Sequence, residues 1–319
     1  MASDENNEVV ADYYPFLRIY KNGHVERFYH LANVFYVPPT PDSDPVTGVS
    51  SKDIAINTHV SARLYLPKII NTINQKLPII VFYHGGGLIL GSAFFNKYHR
   101  FLNLLVSESN SIVVSVDYRL APEQDVSTIY EDSWTAIQWV VSSQDPWLTS
   151  YGDFSKVFIF GESGGANIAY NMTMKAGREK LNSDVKINGS ILACPYFLIP
   201  LDNVDVENLI IYQLWSKIIC PKSESSPFDC PMINPLCKMG PSLSELGCSK
   251  LLVITVEKDE MVPGEIPMKF AEGVKKSGWN GEFVLFEVEG ERHSFFIEDP
   301  ETEKARDLIK QLTSFIQSK

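Results

Sequence analysis

The residues Val157-Phe158-Ile159-Phe160-Gly161-Glu162-Ser163-Gly164-Gly165 are the most informative stretch of this chain. The first four are apolar and predict a strand that is buried on both faces. Residues 165–176 follow with the apolar spacing of a helix. A serine in the pattern G-x-S-x-G between a strand and a helix is typical of a tight elbow, which raises the hydroxyl above the sheet edge and needs small neighbours. The alternative is an ordinary glycine-rich turn whose serine has no chemical role.

The segments on either side of this elbow show the same alternation of predicted strands and helices. Apolar runs or alternation predict further strands at residues 60–66, 77–83, 111–116, 187–194, 251–256 and 281–288. Helical spacing predicts helices at residues 97–109, 130–142, 266–277 and 304–317. Strands that alternate with helices of this length favour an α/β fold, with a mostly parallel sheet and helices on both faces.

The chain of 319 residues is predicted to form a single domain with a small cap. Residues 1–50 are polar and turn-rich, especially at 38–45, and we interpret them as an accessory arm. Residues 197–249 break the rhythm, are rich in Pro, Cys and Ser, and contain one plausible helix at 206–218. We expect the cap to consist of about 1–50 and about 197–249.

Charge and cysteine content exclude several classes of function. With 28 Lys and Arg against 39 Asp and Glu, the net charge of -11 repels nucleic acid and anionic lipid. The N-terminus lacks the apolar region of a secretory signal and no segment is long and apolar enough to span a membrane, so we expect a cytoplasmic protein without membrane or nucleic-acid partners. Four of the five cysteines fall between residues 220 and 248, but their spacing matches no common zinc pattern. We therefore expect free thiols and no metal.

A second glycine-rich motif, His84-Gly85-Gly86-Gly87, follows the predicted strand 77–83. Backbone N–H groups without neighbouring side chains can stabilise a developing oxyanion. We expect the amides of Gly85 and Gly86 to do so, together with that of Gly164, which follows the candidate nucleophile. The alternative, a phosphate-binding loop, lacks the Gly-Lys-Ser/Thr ending and the G-x-G-x-x-G spacing of such loops.

A serine hydroxyl needs a base, and the elbow arrangement runs in the chain order Ser, Asp or Glu, His. His293 is the only histidine beyond Ser163, so it is the candidate base. Asp259, just after the predicted strand 251–256, is the candidate acid that orients the imidazole. Glu257 remains the rival, because two carboxylates this close in sequence cannot be ranked without geometry.

Several motifs together resemble one known family. The HGGG block, the run 116–123 (VDYRLAPE) and 161–167 (GESGGAN), with Asp145-Pro146-Trp147 and 276–279 (KSGW), are similar to the plant carboxylesterases of the hormone-sensitive-lipase-like α/β-hydrolases. The resemblance implies a cofactor-free serine hydrolase with an eight-stranded sheet. Residues 60–69, 195–200 and 231–235 look most like the alkaloid-metabolism branch, which includes tabersonine, catharanthine and norfluorocurarine synthases.

The resemblance leaves more than one function open. Because Ser163, Asp259 and His293 are present together with HGGG, we expect a serine carboxylesterase acting on an ester of a bulky plant metabolite. One such substrate is a monoterpene indole alkaloid methyl ester, whose acid product could then lose carbon dioxide. The alternatives are a dehydratase or cyclase that transfers protons without an acyl-enzyme, and a ligand-binding receptor, which the retained histidine argues against.

Mostly apolar and aromatic residues near the predicted site are candidates for its wall, and core packing is the alternative for each of them. These candidates are Leu88, Ile89, Tyr196, Phe197, Tyr212, Trp215, Ser294 and Phe295, with Phe296 as a further neighbour. The expected partner is a small-molecule ester, and the chain is expected to be a monomer or a homodimer.

Overall fold

The computed structural model describes residues 8–32, 34–69, 76–221, 223 and 225–318. Within these ranges, three strands near the N-terminus form a small antiparallel sheet: β1 (Val9–Tyr13), β2 (Leu17–Tyr20) and β3 (Val25–Arg27). Eight strands form the central sheet: β4 (Ser50–Ala55), β5 (Ser61–Leu66), β6 (Leu77–Tyr83), β7 (Ile112–Asp117), β8 (Gly152–Glu162), β9 (Ile187–Ala193), β10 (Cys248–Lys258) and β11 (Glu282–Arg292). The helices are α1 (Asn96–Ser109), α2 (Val126–Ser142), α3 (Pro146–Tyr151), α4 (Gly164–Arg178), α5 (Ile210–Leu214), α6 (Glu265–Lys276), α7 (Phe295–Glu298) and α8 (Glu303–Gln317).

The order of the strands brings the two glycine motifs together. The central sheet has the order β11-β10-β9-β8-β6-β7-β5-β4, and strands β6 to β11 pair in parallel while β5 is antiparallel to both of its neighbours. Tyr83, the last residue of β6, is in register with Gly161 of β8. The HGGG motif and the serine elbow therefore leave the same sheet edge side by side, where α/β sheets keep their sites.

Alternation of side chains along the buried strands divides the core into two layers. In β6, Ile79 and Val81 pack on the side of α2, α4 and α6, whereas Ile80 and Phe82 pack on the side of α1 and α8. All four side chains are buried because the sheet is covered on both faces. The predicted α/β class, with a mostly parallel sheet and helices on both faces, is confirmed.

Two features of the N-terminal region differ from the sequence prediction. β4 is an edge strand that begins with Ser50, and its half-exposed, polar sequence carries no strong apolar signal. The arm contains the three-stranded sheet β1–β3, whose strands are short and only partly buried. Both were missed because periodicity detects long, half- or fully-buried elements and is weak for short exposed ones.

The segment 197–249 is irregular but tied to the helix that follows the serine. The predicted helix at 206–218 is broken into a short 3₁₀ turn, α5, and a π-helical turn at Trp215–Ile219. On α4, the side-chain amides of Asn167 and Asn171 both donate to the carbonyl of Met232, over 2.8 and 2.9 Å. Among the described residues, no helix has both the length and the apolar character needed to cross a bilayer.

Candidate active site

The serine motif forms a strained turn between β8 and α4. Ser163 has φ 52° and ψ -115°, a conformation that side-chain-bearing residues rarely adopt. A Cβ added at Gly161 would lie 1.9 Å from the carbonyl oxygen of Gly165, and one added at Gly165 would lie 2.0 Å from that of Tyr83. The two outer glycines of G-x-S-x-G are therefore required by the close approach of backbones, as the sequence pattern indicated.

Ser163, His293 and Asp259 form a continuous line of hydrogen bonds. The Oγ of Ser163 lies 2.9 Å from Nε2 of His293. Nδ1 of His293 lies 2.9 and 2.8 Å from the two carboxylate oxygens of Asp259, and because a carboxylate can only accept, Nδ1 carries the proton. This tautomer leaves Nε2 free to accept the serine proton.

The geometry shows which of the two candidate carboxylates, Asp259 or Glu257, lies next to His293. Asp259 faces His293, and its Oδ1 also accepts the backbone N–H groups of Met261 and Val262 over 2.9 and 2.8 Å, which hold the carboxylate in place. Glu257 is exposed and instead accepts the backbone N–H of Gly290 over 2.6 Å. Asp259 is therefore the carboxylate that meets the imidazole.

The surroundings of His293 favour its protonated form. Its side chain is only 10% exposed and that of Asp259 only 3%. Burial acts to lower the pKa of His293, but the hydrogen bond to Asp259 and its charge, assisted by the charges of Glu162 and Glu260, outweigh burial and raise the pKa above its ordinary value. The same surroundings stabilise the imidazolium that forms when His293 takes a proton.

His84, the histidine of the HGGG motif, is packed in the protein interior. The His84 ring is buried, stacks on Tyr118 with ring centroids 4.2 Å apart, and its Nδ1 lies 2.8 Å from the carbonyl oxygen of Gly85. Burial lowers the pKa of His84 to about 4, so the ring is neutral at physiological pH. The hydroxyl of Tyr118 donates to the His84 carbonyl over 2.6 Å, which anchors the start of the glycine loop.

The glycine loop presents a different pair of residues to the serine than the sequence predicted. Gly86 and Gly87 line the cavity that contains Ser163, whereas Gly85 is buried behind it, where an added Cβ would lie 2.0 Å from the Oε2 of Glu162. Gly164 lies against this loop, since an added Cβ there would be 2.9 Å from the backbone nitrogen of Gly87. Gly85 therefore lies outside the cavity lining, whereas Gly86 (φ 102°) and Gly87 (φ 61°), both in left-handed backbone conformations, belong to it.

The family model described as alpha/beta hydrolase fold matches residues 80–297, more than half of the chain. The chain belongs to the α/β-hydrolase fold family. The matched range contains the glycine loop, the elbow, Asp259 and His293.

This α/β hydrolase is similar to several plant proteins over nearly its whole length. It is 43% identical to the 2-hydroxyisoflavanone dehydratase of Glycine max, with 97% of this chain and 99% of the relative covered. It is 40% identical to the catharanthine synthase of Catharanthus roseus (98% and 97% covered) and 40% identical to the probable carboxylesterase 13 of Arabidopsis thaliana (98% and 98%). The resemblance to plant carboxylesterases and their alkaloid-related members is confirmed.

A solved structure shows the same architecture at lower identity. The esterase of the archaeon Pyrobaculum calidifontis superposes with a TM-score of 0.67 at 26% identity, covering 84% of this chain and 85% of that one. The similarity is consistent with the strand order described above and supports a hydrolase fold.

The cavity of this α/β hydrolase at Ser163 has a volume of about 200 Å³ and a wall from distant parts of the chain. Its lining consists of Phe16, Gly86, Gly87, Ile89, Leu90, Lys97, Tyr98, Glu162, Ser163, Tyr196, Ile211, Leu214, Glu260, Met261, His293, Ser294 and Glu298. Of the wall residues predicted from sequence, Ile89, Tyr196 and Ser294 belong to this lining. Phe16 from the arm and Ile211 from α5 were not predicted.

The remaining predicted wall residues lie outside the lining, and their positions are corrections. Leu88 is fully buried in the core between the sheet and its helices. Phe197 packs against Phe270, with ring centroids 5.0 Å apart. Phe295 belongs to the opposite core layer, beside Phe296, with ring centroids 5.6 Å apart. Apolar character alone could not distinguish wall from core at these positions.

The predicted wall residues Tyr212, on α5, and Trp215, in the π-helical turn that follows, also lie outside the cavity lining. Tyr212 packs against Phe228, and Trp215 contacts Tyr196 edge-on, with ring centroids 5.5 and 6.3 Å apart. Ile211 and Leu214, three residues apart and so on one face of the helix, point to the cavity instead.

A single arginine ties the arm to the glycine loop. Arg27, at the end of β3, donates to the carbonyl of Ile89 over 2.6 Å and to the carbonyl of Ala121 over 3.0 Å. It also forms two hydrogen bonds with Glu123, over 2.7 and 2.6 Å. Because Ile89 lies two residues after Gly87, this arginine links the position of the arm to that of the loop.

Proposed function

We propose that this α/β hydrolase is a serine carboxylesterase that acts on an ester of a bulky plant metabolite. The observation that carries the proposal is the line from Ser163 through His293 to Asp259, with separations of 2.9 and 2.8 Å. A serine, a base and an orienting carboxylate at hydrogen-bond distance are the parts that nucleophilic acyl transfer requires.

In the first half of the reaction, the Oγ of Ser163 attacks the ester carbonyl carbon while Nε2 of His293 takes the hydroxyl proton. The tetrahedral intermediate places negative charge on the former carbonyl oxygen. The backbone N–H groups of Gly86, Gly87 and Gly164 are the proposed donors to that oxygen, each worth about 3 kcal/mol in the transition state. Collapse of the intermediate expels the alkoxide, which receives the proton from His293, and leaves an acyl-serine.

In the second half, water attacks the acyl-serine as His293 accepts one of its protons. A second tetrahedral intermediate forms in the same oxyanion site and collapses to the carboxylic acid. The proton returns from His293 to the Oγ of Ser163, so that the enzyme is regenerated. Asp259 keeps the imidazole in the correct tautomer through both halves.

The test compares the wild type with Ser163→Ala in hydrolysis of p-nitrophenyl acetate. We expect the variant to lose at least a factor of about 10⁴ in kcat, because loss of a triad member removes the covalent pathway. A fluorophosphonate should label the wild type once and the variant not at all. A variant that keeps more than about a tenth of the wild-type rate refutes the assignment, since the loss of a nucleophile costs far more.

Within this class, we propose an alkaloid methyl ester as one candidate substrate. The apolar side chains of Phe16, Ile89, Ile211 and Leu214 in the cavity wall suit a bulky, partly hydrophobic molecule. The 40% identity to a relative named catharanthine synthase supports the choice of an alkaloid substrate. Methanol release from a monoterpene indole alkaloid methyl ester, with or without later loss of carbon dioxide, tests this choice. No methanol from a panel of such esters, with p-nitrophenyl acetate still cleaved, rejects it.

A dehydratase is the second candidate function, favoured by the 43% identity to a 2-hydroxyisoflavanone dehydratase. His293 and the glycine amides would then assist proton transfer, and no acyl-serine would form. Pre-steady-state kinetics with an activated ester separates the two functions. A carboxylesterase gives a burst of one alcohol per active site when deacylation is slow, whereas a dehydratase gives elimination of water from a 2-hydroxyisoflavanone without dependence on Ser163.

We also propose that the arm and the segment 197–249 form the cap over this site. Phe16 from the arm and Ile211 and Leu214 from the segment line the same cavity as Ser163. Exchange of Phe16 or Leu214 for alanine is expected to change KM for bulky esters more than for p-nitrophenyl acetate.

A further inference from the structure

A buried carboxylate lies directly beside the candidate nucleophile. Glu162, the residue between Gly161 and Ser163 in the G-x-S-x-G pattern, is 4% exposed. Within the part of the chain that the structure describes, no lysine, arginine or histidine nitrogen lies within 4.0 Å of its carboxylate to form an ion pair. Burying a carboxylate without a neighbouring cation is costly, so the carboxylate of Glu162 needs hydrogen-bond donors around it.

Two hydroxyl groups donate to this carboxylate from opposite sides. The hydroxyl of Ser294, the residue after His293, donates to Oε1, and that of Tyr98 lies 3.4 Å from Oε2. Glu162 ends β8 and Ser294 begins the turn into α7, so the contact with Ser294 joins the serine elbow to the histidine loop across 132 residues of sequence.

Ser294 occupies a backbone conformation that needs support. Its φ of 55° and ψ of 23° are left-handed, which is uncommon for a residue with a side chain. Its carbonyl accepts the backbone N–H of Ile297 over 2.9 Å, which starts α7. The orientation of His293, one residue earlier, therefore depends on this turn, and the hydroxyl bond to Glu162 stabilises it.

We propose that Glu162 is a positioning residue, which holds the His293 loop against the elbow through Ser294 and favours the imidazolium that forms during acyl transfer. The inference rests on the proposed function, since it assigns a role in the same reaction. It adds two residues, Glu162 and Ser294, to the groups that determine the rate, and neither touches the reacting atoms.

The charged and titratable groups around His293 define what Glu162 contributes. Asp259 and Glu260 contact His293 from the turn after β10, Ser163 contacts it from the elbow, and the thiol of Cys194 lies close by, just after β9. Glu162 lines the same cavity, and its charge acts on the imidazole. Lys97 and Glu298 form an ion pair over 3.1 Å on the wall of the same cavity. Asp259 raises the pKa of His293 most strongly against the effect of burial, and the charge of Glu162 acts in the same direction.

Two variants separate the charge of Glu162 from its hydrogen bond. In Glu162→Gln, the amide oxygen can still accept from Ser294 and the amide nitrogen can donate to Tyr98, so mainly the charge is lost. In Ser294→Ala, the charge stays and the bond that supports the turn is lost. Glu257→Gln is the matched control, because Glu257 is an exposed carboxylate on β10 that bonds the backbone of Gly290 and not the His293 side chain.

The measurements are kcat, KM and the pH profile of kcat/KM with p-nitrophenyl acetate, on variants whose melting temperature and circular dichroism match the wild type. For Glu162→Gln we expect the acid limb of the profile to move to lower pH by about one unit, because removal of a neighbouring negative charge lowers the pKa of the base. For Ser294→Ala we expect kcat to fall roughly tenfold with KM nearly unchanged, since a small misplacement of a catalytic group costs rate. Glu257→Gln should leave the limb in place.

The outcomes distinguish this inference from the proposed function. If Ser163→Ala remains active, the esterase mechanism fails and the role of Glu162 in it fails too. If Ser163→Ala is inactive but Glu162→Gln keeps its acid limb and its kcat within twofold, only the inference is overturned. Should Glu162→Gln not fold, Ser294→Ala decides: a kcat within twofold of the wild type overturns the inference, and a tenfold loss at constant KM supports it.

Discussion

Replacing Asp259 by asparagine should nearly abolish turnover while leaving the fold intact. The backbone N–H groups of Met261 and Val262 both donate to Oδ1 of Asp259, over 2.9 and 2.8 Å. In the variant these two donors require an acceptor at that position, so they hold the amide oxygen there. The amide nitrogen is then directed to the position of Oδ2, which lies 2.8 Å from Nδ1 of His293.

An amide nitrogen at that position can only donate, so it competes with the amide oxygen, 2.9 Å from Nδ1, and favours the tautomer in which Nδ1 accepts and the ring proton lies on Nε2. Nε2 then points a proton at Ser163 and cannot take one from it. The loss of the carboxylate charge also lowers the pKa of His293, because that charge and hydrogen bond raise it in the wild type. A wrong tautomer of this kind costs about 10⁴-fold in kcat in serine hydrolases.

The assay is hydrolysis of p-nitrophenyl acetate at a pH well above the acid limb of the wild type, normalised to properly folded enzyme by circular dichroism and melting temperature. Glu257→Gln is the control, with a carboxylate-to-amide exchange two residues away and full activity expected. The reasoning is refuted if Asp259→Asn keeps more than about one hundredth of the wild-type kcat, because a histidine in the wrong tautomer cannot act as the base.

Three further predictions follow from the same geometry. The pKa of His293 is raised, and the base must be neutral, so kcat/KM should fall as the pH drops through a limb above about 6.5, the ordinary histidine value; a limb well below that value contradicts the electrostatic description. Arg27→Ala should raise KM and increase proteolysis of the arm, because the tie to the glycine loop and to Glu123 is lost; equal KM and equal proteolytic resistance would show that the tie is dispensable. Gly86→Ala should lower kcat by about 10²–10³ through displacement of an oxyanion donor, whereas Gly278→Ala, also at positive φ but with open space around it, should change stability and not kcat.

The sequence alone predicted the architecture and the nucleophile because both depend on local patterns. Continuous apolar runs can be satisfied only by strands covered on both faces, and the glycines at 161 and 165 are required by backbone contacts within one turn. His293 was predictable for a different reason, since chain order left one histidine beyond Ser163. The preference for Asp259 over Glu257 agreed with the geometry, although the sequence could not rank the two.

The tertiary structure decided the features that depend on residues far apart in the chain. Gly87 rather than Gly85 lines the cavity at Ser163, and Gly86 and Gly87 both have a left-handed backbone, which no residue pattern specified in advance. The cavity wall combines Phe16, Ile89 and Leu214, and whether an apolar side chain lines a cavity or fills a core depends on which helix face packs inward. The contact of Glu162 with Ser294 spans 132 residues, so only the packing of β8 against the histidine loop brings the two together.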